Sequence, residues 1–250
     1  MIVADALAAM RALPVRPAAE LLAAGPMLVL AAHPDDESLG CGGLLAEAAA
    51  SATPPFVLVL TDGTGSHPNS RTYPAPRLRA VRQREAQDAI AALGLPPDRI
   101  GFLGLRDTES PVVGLAFDAA VTAIASLAMR IGAVTLLSPW QHDPHRDHES
   151  AHLMGVAAAD EAGLRHFAYP VWGWTLPLEM PLPGPLPTGR RVDVSAHLER
   201  KRAAIAAHRT QHGGMIVDDP GGFTLPAGFL VLFDGPYETV LDVPPASVQG

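Results

Sequence analysis

His33, Asp35, Asp36 and Glu37 fall within one short stretch, AAHPDDESLG, directly behind the apolar run MLVLAA and just ahead of Gly40, Gly42 and Gly43. A second collection, His142, His145, Asp147 and His148, lies far downstream in WQHDPHRDHESAH. Imidazole nitrogen and carboxylate oxygen are the donors that zinc favours, and a catalytic zinc keeps three protein ligands with one position open for water. One histidine and one aspartate from the first loop, with one histidine from the second, give that count. Pro34 stiffens the turn so that His33 and the second aspartate converge while the first aspartate points past them. A carboxylate beside the water that such a metal activates is a general base by position, and the second cluster supplies an imidazole for the other side of the reaction. Alone, each cluster has a plainer meaning: Asp35 and Asp36 suit a helix N-terminus on dipole grounds, and His145 suits a solvated loop. His142 and His152 read as surface or supporting residues.

These clusters need elements that bring them together. MLVLAA (27–32), FVLVLTDG (56–63), RIGFLGL (99–105), AVTLLSP (133–139) and HFAYPVWGW (166–174) are short apolar runs of the kind found in strands covered on both faces. Helical spacing separates them over 38–50, 77–93, 116–131 and 149–162, with Gly94, Pro96 and Pro97 ending the second of these. Short helical pieces are expected at 4–12 and 17–24. Strand and helix in this alternation mean an α/β, Rossmann-like, mostly parallel sheet with helices on both faces. Ligands of such sheets bind beyond the carboxyl ends of the strands, and both clusters sit there, after the first and fourth predicted strands. Pro177, Pro181, Pro183, Pro185 and Pro187 make 175–189 a surface loop. RRVDVS is expected as a strand ending at Ser195, the N-cap of a helix to about Arg209, and GFLVLFDG (228–235) as a last strand. Trp172, Trp174 and the loop behind them suit an apolar wall or lid over a sugar ring.

The 250 residues, 48% apolar and 18% charged, suit a single globular domain over 1–250. A net charge of −8 without a basic run argues against nucleic acid as a partner. The longest apolar stretch, Leu21–Ala32, is too short to span a bilayer, and MIVADALAAMRALP does not read as a signal peptide. With Cys41 alone there is no internal disulfide. A soluble cytoplasmic protein is expected, and a homo-oligomer is compatible with the composition. GCGG lacks the full dinucleotide-binding spacing, and no Gly-x-Ser-x-Gly elbow is present.

AHPDDE followed by PHRDH resembles the PIG-L/LmbE superfamily of zinc-dependent de-N-acetylases, which includes the deacetylases of N-acetylglucosaminyl-phosphatidylinositol, mycothiol and bacillithiol pathways. The likeness extends through Arg82 and Glu85 in RQREAQDAIAALG, Asp107 in LGLRD and KRAAIAAHRTQ at 201–211, roughly residues 27 to 212. It implies that His33, Asp36 and His148 bind zinc, with Fe(II) suited to the same donors, and that Asp35 is the general base. It further implies that His145 stabilises the oxyanion and protonates the leaving amine, oriented by Asp147, and that Arg82 and Asp107 lie near the sugar. From residue type alone, Arg82 and Glu85 equally suit a surface ion pair, and Asp107 a turn. Arg146 replaces the proline usual before Asp147, and Asp143 stands where some relatives carry tyrosine. The implied activity is hydrolysis of an acetyl group from an N-acetylated amino sugar or its conjugate. An amidohydrolase acting on a non-sugar acetamide and a silent metal- or sugar-binding domain are the alternatives.

Overall fold

The structure, a computed structural model, describes residues 1–22 and 24–244. The chain opens with α1 (Val3–Ala12), β1 (Val15–Arg16) and the single turn α2 (Ala19–Leu22). β2 (Met27–Ala31) follows and is buried at every position. Its side chains enter opposite faces in turn. Met27, Val29 and Ala31 join the apolar cluster on one side of the sheet, while Leu28 and Leu30 join the cluster on the other. β3 (Phe56–Thr61) repeats the pattern, with Val57 and Val59 against Leu58 and Leu60. Unbroken apolar runs are therefore the consequence of cover on both faces.

The remaining elements are α3 (Asp36–Ala48), α4 (Ala75–Ala92), β4 (Ile100–Leu105), α5 (Leu115–Ile131), β5 (Thr135–Pro139), α6 (Arg146–Ala162), β6 (Arg165–Tyr169), β7 (Gly189–Asp193), α7 (Leu198–Ala207), α8 (Ala227–Leu230) and β8 (Tyr237–Asp242). All eight strands form one sheet in the order β1-β7-β8-β6-β5-β2-β3-β4, parallel except that β8 runs antiparallel to both neighbours. Residues of α3, α4 and α7 pack in the cluster on one face, and those of α5 and α6 in the cluster on the other. The expected α/β, Rossmann-like, mostly parallel architecture is thus the observed one. β2 lies between β3 and β5, where successive connections leave in opposite directions, so the loops after β2 and β5 border the switch-point crevice.

Two local features bring α3 close to the sheet. A Cβ on Gly40 would lie 2.1 Å from the Tyr169 ring, and one on Gly43 would lie 2.4 Å from Val194. The helix is also kinked at Cys41 (φ −144°), and the buried Glu238 carboxylate accepts the freed N–H groups of Gly43 (2.7 Å) and Leu44 (2.8 Å) while pairing with Lys201 at 2.7 Å. The proline-rich loop carries no helix or strand of its own, and its carbonyls at Leu178 and Met180 accept the first N–H groups of α1.

Three expectations fail. HFAYPVWGW is strand only as far as Tyr169, and Trp172–Thr175 form a 3-10 turn. GFLVLFDG is helical, α8 followed by a 3-10 turn at Val231–Phe233, and the last strand begins at Tyr237. Ser195 caps no helix. Its N–H bonds the Asp193 carboxylate, and a 3-10 turn at Ser195–His197 precedes α7.

Candidate active site

The loop leaving β2 closes on itself at once. The Asp36 carboxylate accepts the N–H of His33 at 2.8 Å, and Asp36 begins α3. Asp35, between Pro34 and that helix, has φ +141°, a region that costs a non-glycine residue about 1–3 kcal/mol and persists only where neighbours impose it. The loop leaving β5 ends at His145, which caps α6: its Nδ1 accepts the N–H of Asp147 at 3.2 Å. Arg146 occupies the first helical position and is exposed. That position tolerates proline because its N–H has no partner within the helix, so the exchange of proline for arginine leaves the local backbone intact.

His33, Asp36 and His148 meet between the two loops. Asp36 Oδ2 lies 3.5 Å from His33 Nδ1 and 3.3 Å from His148 Nε2. Each ring is held by its other nitrogen. His33 Nε2 faces Asp147 Oδ2 at 3.1 Å and Asp107 Oδ1 at 3.2 Å, and His148 Nδ1 faces Asp143 Oδ2 at 2.9 Å. Those bonds put the protons on the outer nitrogens and turn the lone pairs of His33 Nδ1 and His148 Nε2 toward Asp36. His148 Nε2 is buried without a hydrogen-bond partner among the described residues. Ligands about 2.0–2.1 Å from a tetrahedral ion lie roughly 3.3–3.4 Å from one another, close to the separations of Asp36 Oδ2 from the two histidine nitrogens. These residues therefore fit a divalent metal.

Among the described residues, the groups whose donors all lie within 4.8 Å of one another are His33–His145–His148 and His33–Asp107–Asp147, and Asp36 adds its oxygen to the first from between His33 and His148. The second uses the far edge of the His33 ring. Its carboxylates are already committed, Asp147 to the N–H groups of Thr108 (2.7 Å) and Ser110 (3.1 Å) and Asp107 to that of Gly65 (2.8 Å). We read these two aspartates as the support of His33. The expectation that the Asp147 carboxylate orients His145 is not met, because that carboxylate points at His33 and only the Asp147 backbone touches His145.

The electrostatics suit a cation. Burial opposes protonation of His33 and His148, but Asp107, Asp147 and Asp36 outweigh it at the first, and Asp36 with Asp143 lifts the second to about 9. Asp36 is held well below the usual carboxylate range: burial acts against this, and the two histidines prevail. Burial raises Asp35 to about 6, with Arg82 pulling the other way. His145 is pushed down to about 4 by burial and by the neighbouring His33 and His148.

Arg82 is buried and spans the first loop from behind, its Nη1 bonding Gly63 O at 2.9 Å and its Nη2 bonding Pro34 O at 2.7 Å and Asp35 Oδ2 at 3.2 Å. Glu85 is buried on Thr210, so the two form no surface pair. Arg82, Asp107, Asp35 and His145 line a cleft of about 220 Å³. That is smaller than the roughly 300–1,000 Å³ of pockets that enclose a whole drug-sized ligand. Its opposite wall is apolar, built by Leu39, Trp172, Phe223 and Leu225. Trp172 stacks on Phe229 (4.0 Å, 12°), while Trp174 packs into the core and does not line the cleft. Phe223 and Leu225 were not among the candidates read from sequence, and Glu37 and Asp143 were noted there without a role, the first as part of the acid cluster and the second where some relatives carry tyrosine.

The family model described as PIG-L, GlcNAc-PI de-N-acetylase, matches residues 28–159. A 1D-myo-inositol 2-acetamido-2-deoxy-alpha-D-glucopyranoside deacetylase of Saccharomonospora viridis is 30% identical over 85% of this chain and 96% of its own. A diacetylchitobiose deacetylase of Thermococcus kodakarensis is 30% identical over 56% of this chain and 51% of its own. Among solved structures, the conserved protein TT1542 of Thermus thermophilus superposes with a TM-score of 0.62 at 27% identity, covering 88% of this chain and 95% of that one. With the model spanning more than half of the residues and the Saccharomonospora likeness running nearly end to end, the chain belongs to the PIG-L family of de-N-acetylases.

Proposed function

We propose that the protein is a cytoplasmic, zinc-dependent N-deacetylase that releases acetate from an N-acetylated amino sugar or its conjugate. The observation that carries this is the approach of Asp36 to His33 and His148, both rings braced from outside, beside a cleft lined by Asp35 and His145. The relatives named as amino-sugar deacetylases supply the substrate class. One sheet running through the whole chain supports reading residues 1–250 as a single domain. Among the described residues no helix is long and apolar enough to cross a membrane, and the single thiol of Cys41 is buried, both in keeping with the proposed location.

In this reading His33, Asp36 and His148 hold the ion, which when bound polarises the amide carbonyl and acidifies the attacking water. Asp35, at the cleft wall, takes the proton of that water. His145 accepts the Asp147 N–H at Nδ1, so its own proton sits on Nε2, where it donates to the carbonyl oxygen as negative charge develops. Doubly protonating the ring would break that cap. We therefore assign the proton returned to the leaving amine to Asp35 rather than to His145. Arg82 neutralises the ionised Asp35 and keeps it in place, and Asp107 and Asp147 keep His33 in the tautomer that a ligand requires. The exposed position of Arg146 at the first turn of α6 is in keeping with an active enzyme rather than a silent domain.

The test is acetate release from N-acetylglucosamine conjugates set against non-sugar acetamides, with metal analysis of the same preparation. Turnover of the sugar conjugates, lost on chelation and restored by zinc, is expected. Equal or better turnover of simple acetamides would replace this reading with a general amidohydrolase.

A further inference from the structure

Glu37 and His208 are among the most buried polar residues, at 0% and 1% exposure, yet neither lines the cleft nor offers an atom to the metal. A buried carboxylate and imidazole are costly to desolvate unless every bond is placed, so their arrangement calls for a physical account. Glu37 Oε2 accepts the backbone N–H of Asp35 at 3.1 Å. Its other oxygen accepts the Ser38 hydroxyl at 2.7 Å and meets His208 Nε2 at 3.2 Å. His208 follows the last turn of α7, and the chain just beyond it is fixed in turn, since Glu85 of α4 takes both the N–H (3.0 Å) and the hydroxyl (2.6 Å) of Thr210. Glu85 of α4 thus fixes Thr210, the chain leads back two residues to His208, and His208 and Glu37 carry the connection to the amide of Asp35.

That amide belongs to the residue with φ +141°. Left to itself an aspartate abandons such a conformation, and the carboxylate swings with the backbone. Arg82 grips the preceding carbonyl, Pro34 O, and Glu37 grips the N–H, so the strained peptide is clamped on both sides. We propose that Glu37 and His208 are positioning residues that act through Asp35, holding its backbone in the strained state in which its carboxylate faces the cleft. This rests on the assignment of Asp35 as the base. It gives a task to the KRAAIAAHRTQ segment, which contributes no metal ligand.

The experiment is a double-mutant cycle on the zinc-loaded enzyme, assayed with an N-acetylglucosamine conjugate that the wild type turns over. His208→Ala should lower kcat by roughly ten- to a hundredfold, the cost of misplacing a reacting group, with KM and zinc content nearly unchanged. His208→Gln, which still offers an N–H to Glu37, should recover most of the loss. In an Asp35→Asn background, adding His208→Ala should change the residual rate by less than about twofold, since a residue that acts only through the base has nothing left to act on. The same factor in both backgrounds, or zinc lost in step with activity, overturns the proposal and leaves a purely structural pair. An arm independent of turnover is amide exchange at Asp35. Glu37→Gln keeps one acceptor and should leave the Asp35 N–H protected, whereas Glu37→Ala should speed its exchange by at least about tenfold while β2 amides stay unchanged. Unaltered exchange in Glu37→Ala also overturns it. If the wild type releases no acetate from any conjugate, the deacetylase reading falls, and the exchange data still decide whether Glu37 clamps the strained peptide.

Discussion

Asp143 carries more of the metal centre than its position suggests. One of its oxygens accepts His148 Nδ1 (2.9 Å) together with the N–H groups of Val171 (2.9 Å) and Trp172 (3.1 Å), and the other accepts Gly173 (2.7 Å). The same carboxylate therefore sets the tautomer of a ligand and anchors the turn that carries Trp172. Asp143→Ala should weaken zinc binding by roughly 10–100-fold, the usual effect of removing a partner behind a metal-binding histidine, as read by competition with a chelator. Wild-type affinity in that variant would refute the support role. Asp35→Asn should do the reverse, keeping stoichiometric zinc while kcat falls by roughly 10²–10⁴-fold. His148→Ala should lose both. The sequence offered one histidine and the aspartates of the first loop with one histidine of the second as candidates, and only the family resemblance singled out His148 and gave Asp35 its role. The partners behind them were not legible there. Asp147 stands two residues from His145 and reads as its orienting group, but at a helix start the side chain two positions on leaves in another direction and meets His33 across the fold.

At the scale of elements, the strap from Gly213 to Leu225 depends on its ties to the 66–72 loop. Asp218 accepts Ser70 Oγ (2.7 Å), Arg71 N (2.8 Å), Thr72 N (2.9 Å) and Thr72 Oγ1 (2.7 Å), Asp219 accepts Asn69 N (2.9 Å), and Phe223 N bonds Ser66 O (2.6 Å). These bonds bring Phe223 and Leu225 to the apolar wall of the cleft. Asp218→Ala should free the strap, raising KM for a sugar conjugate severalfold while kcat and zinc content hold. A fall in kcat at unchanged KM would mean that the strap serves the chemistry instead. No sequence pattern announces this tie, since its partners lie far apart in the chain. The neighbouring misreading is instructive in the same way. In a strand, Phe229, Val231 and Phe233 would share a face; here Phe229 and Phe233 are buried at 5% and 6% while Val231 is 72% exposed, the spacing of a helix turn. A five-residue apolar run cannot decide between the two periods, and the packing of Phe229 on Trp172 favours the helical one. The β2, β3 and β5 runs were legible because burial on both faces leaves no other composition for them.

For the molecule as a whole, two histidines outside the metal centre set how folding responds to acid. His152 and His166 lie with ring centroids 5.5 Å apart, His152 on Pro139 O (3.1 Å) and His166 on Ser138 Oγ (2.8 Å), and both are buried. Burial holds His152 down at about 4, and burial with His152 beside it holds His166 at about 3. Above the ordinary histidine range near 6.5, both are neutral folded and unfolded, and they add no pH dependence. Below it the unfolded chain takes up protons that the folded chain refuses, so the stability present at neutral pH is lost as pH falls from about 6.5 toward 4, by about 1.4 kcal/mol per pH unit for each histidine. His33, His148 and His208, whose folded values are raised, are protonated in both states below about 6 and add little there, while Asp35, raised to about 6, offsets part of the fall. His145 adds in the same direction, but it belongs to the metal centre. Denaturant unfolding of chelator-treated protein at pH 7 and pH 5 should therefore show a fall of a few kcal/mol, and the double variant His152→Gln, His166→Gln should flatten it, although each substitution costs some stability at pH 7 through repacking. An unchanged slope in the double variant would refute the assignment to these two histidines and leave His145 as the source. The carboxylates with depressed values, Asp36, Asp107 and Asp147 among them, act only lower, because their stabilising charge is lost as pH falls below the unfolded carboxylate range near 4.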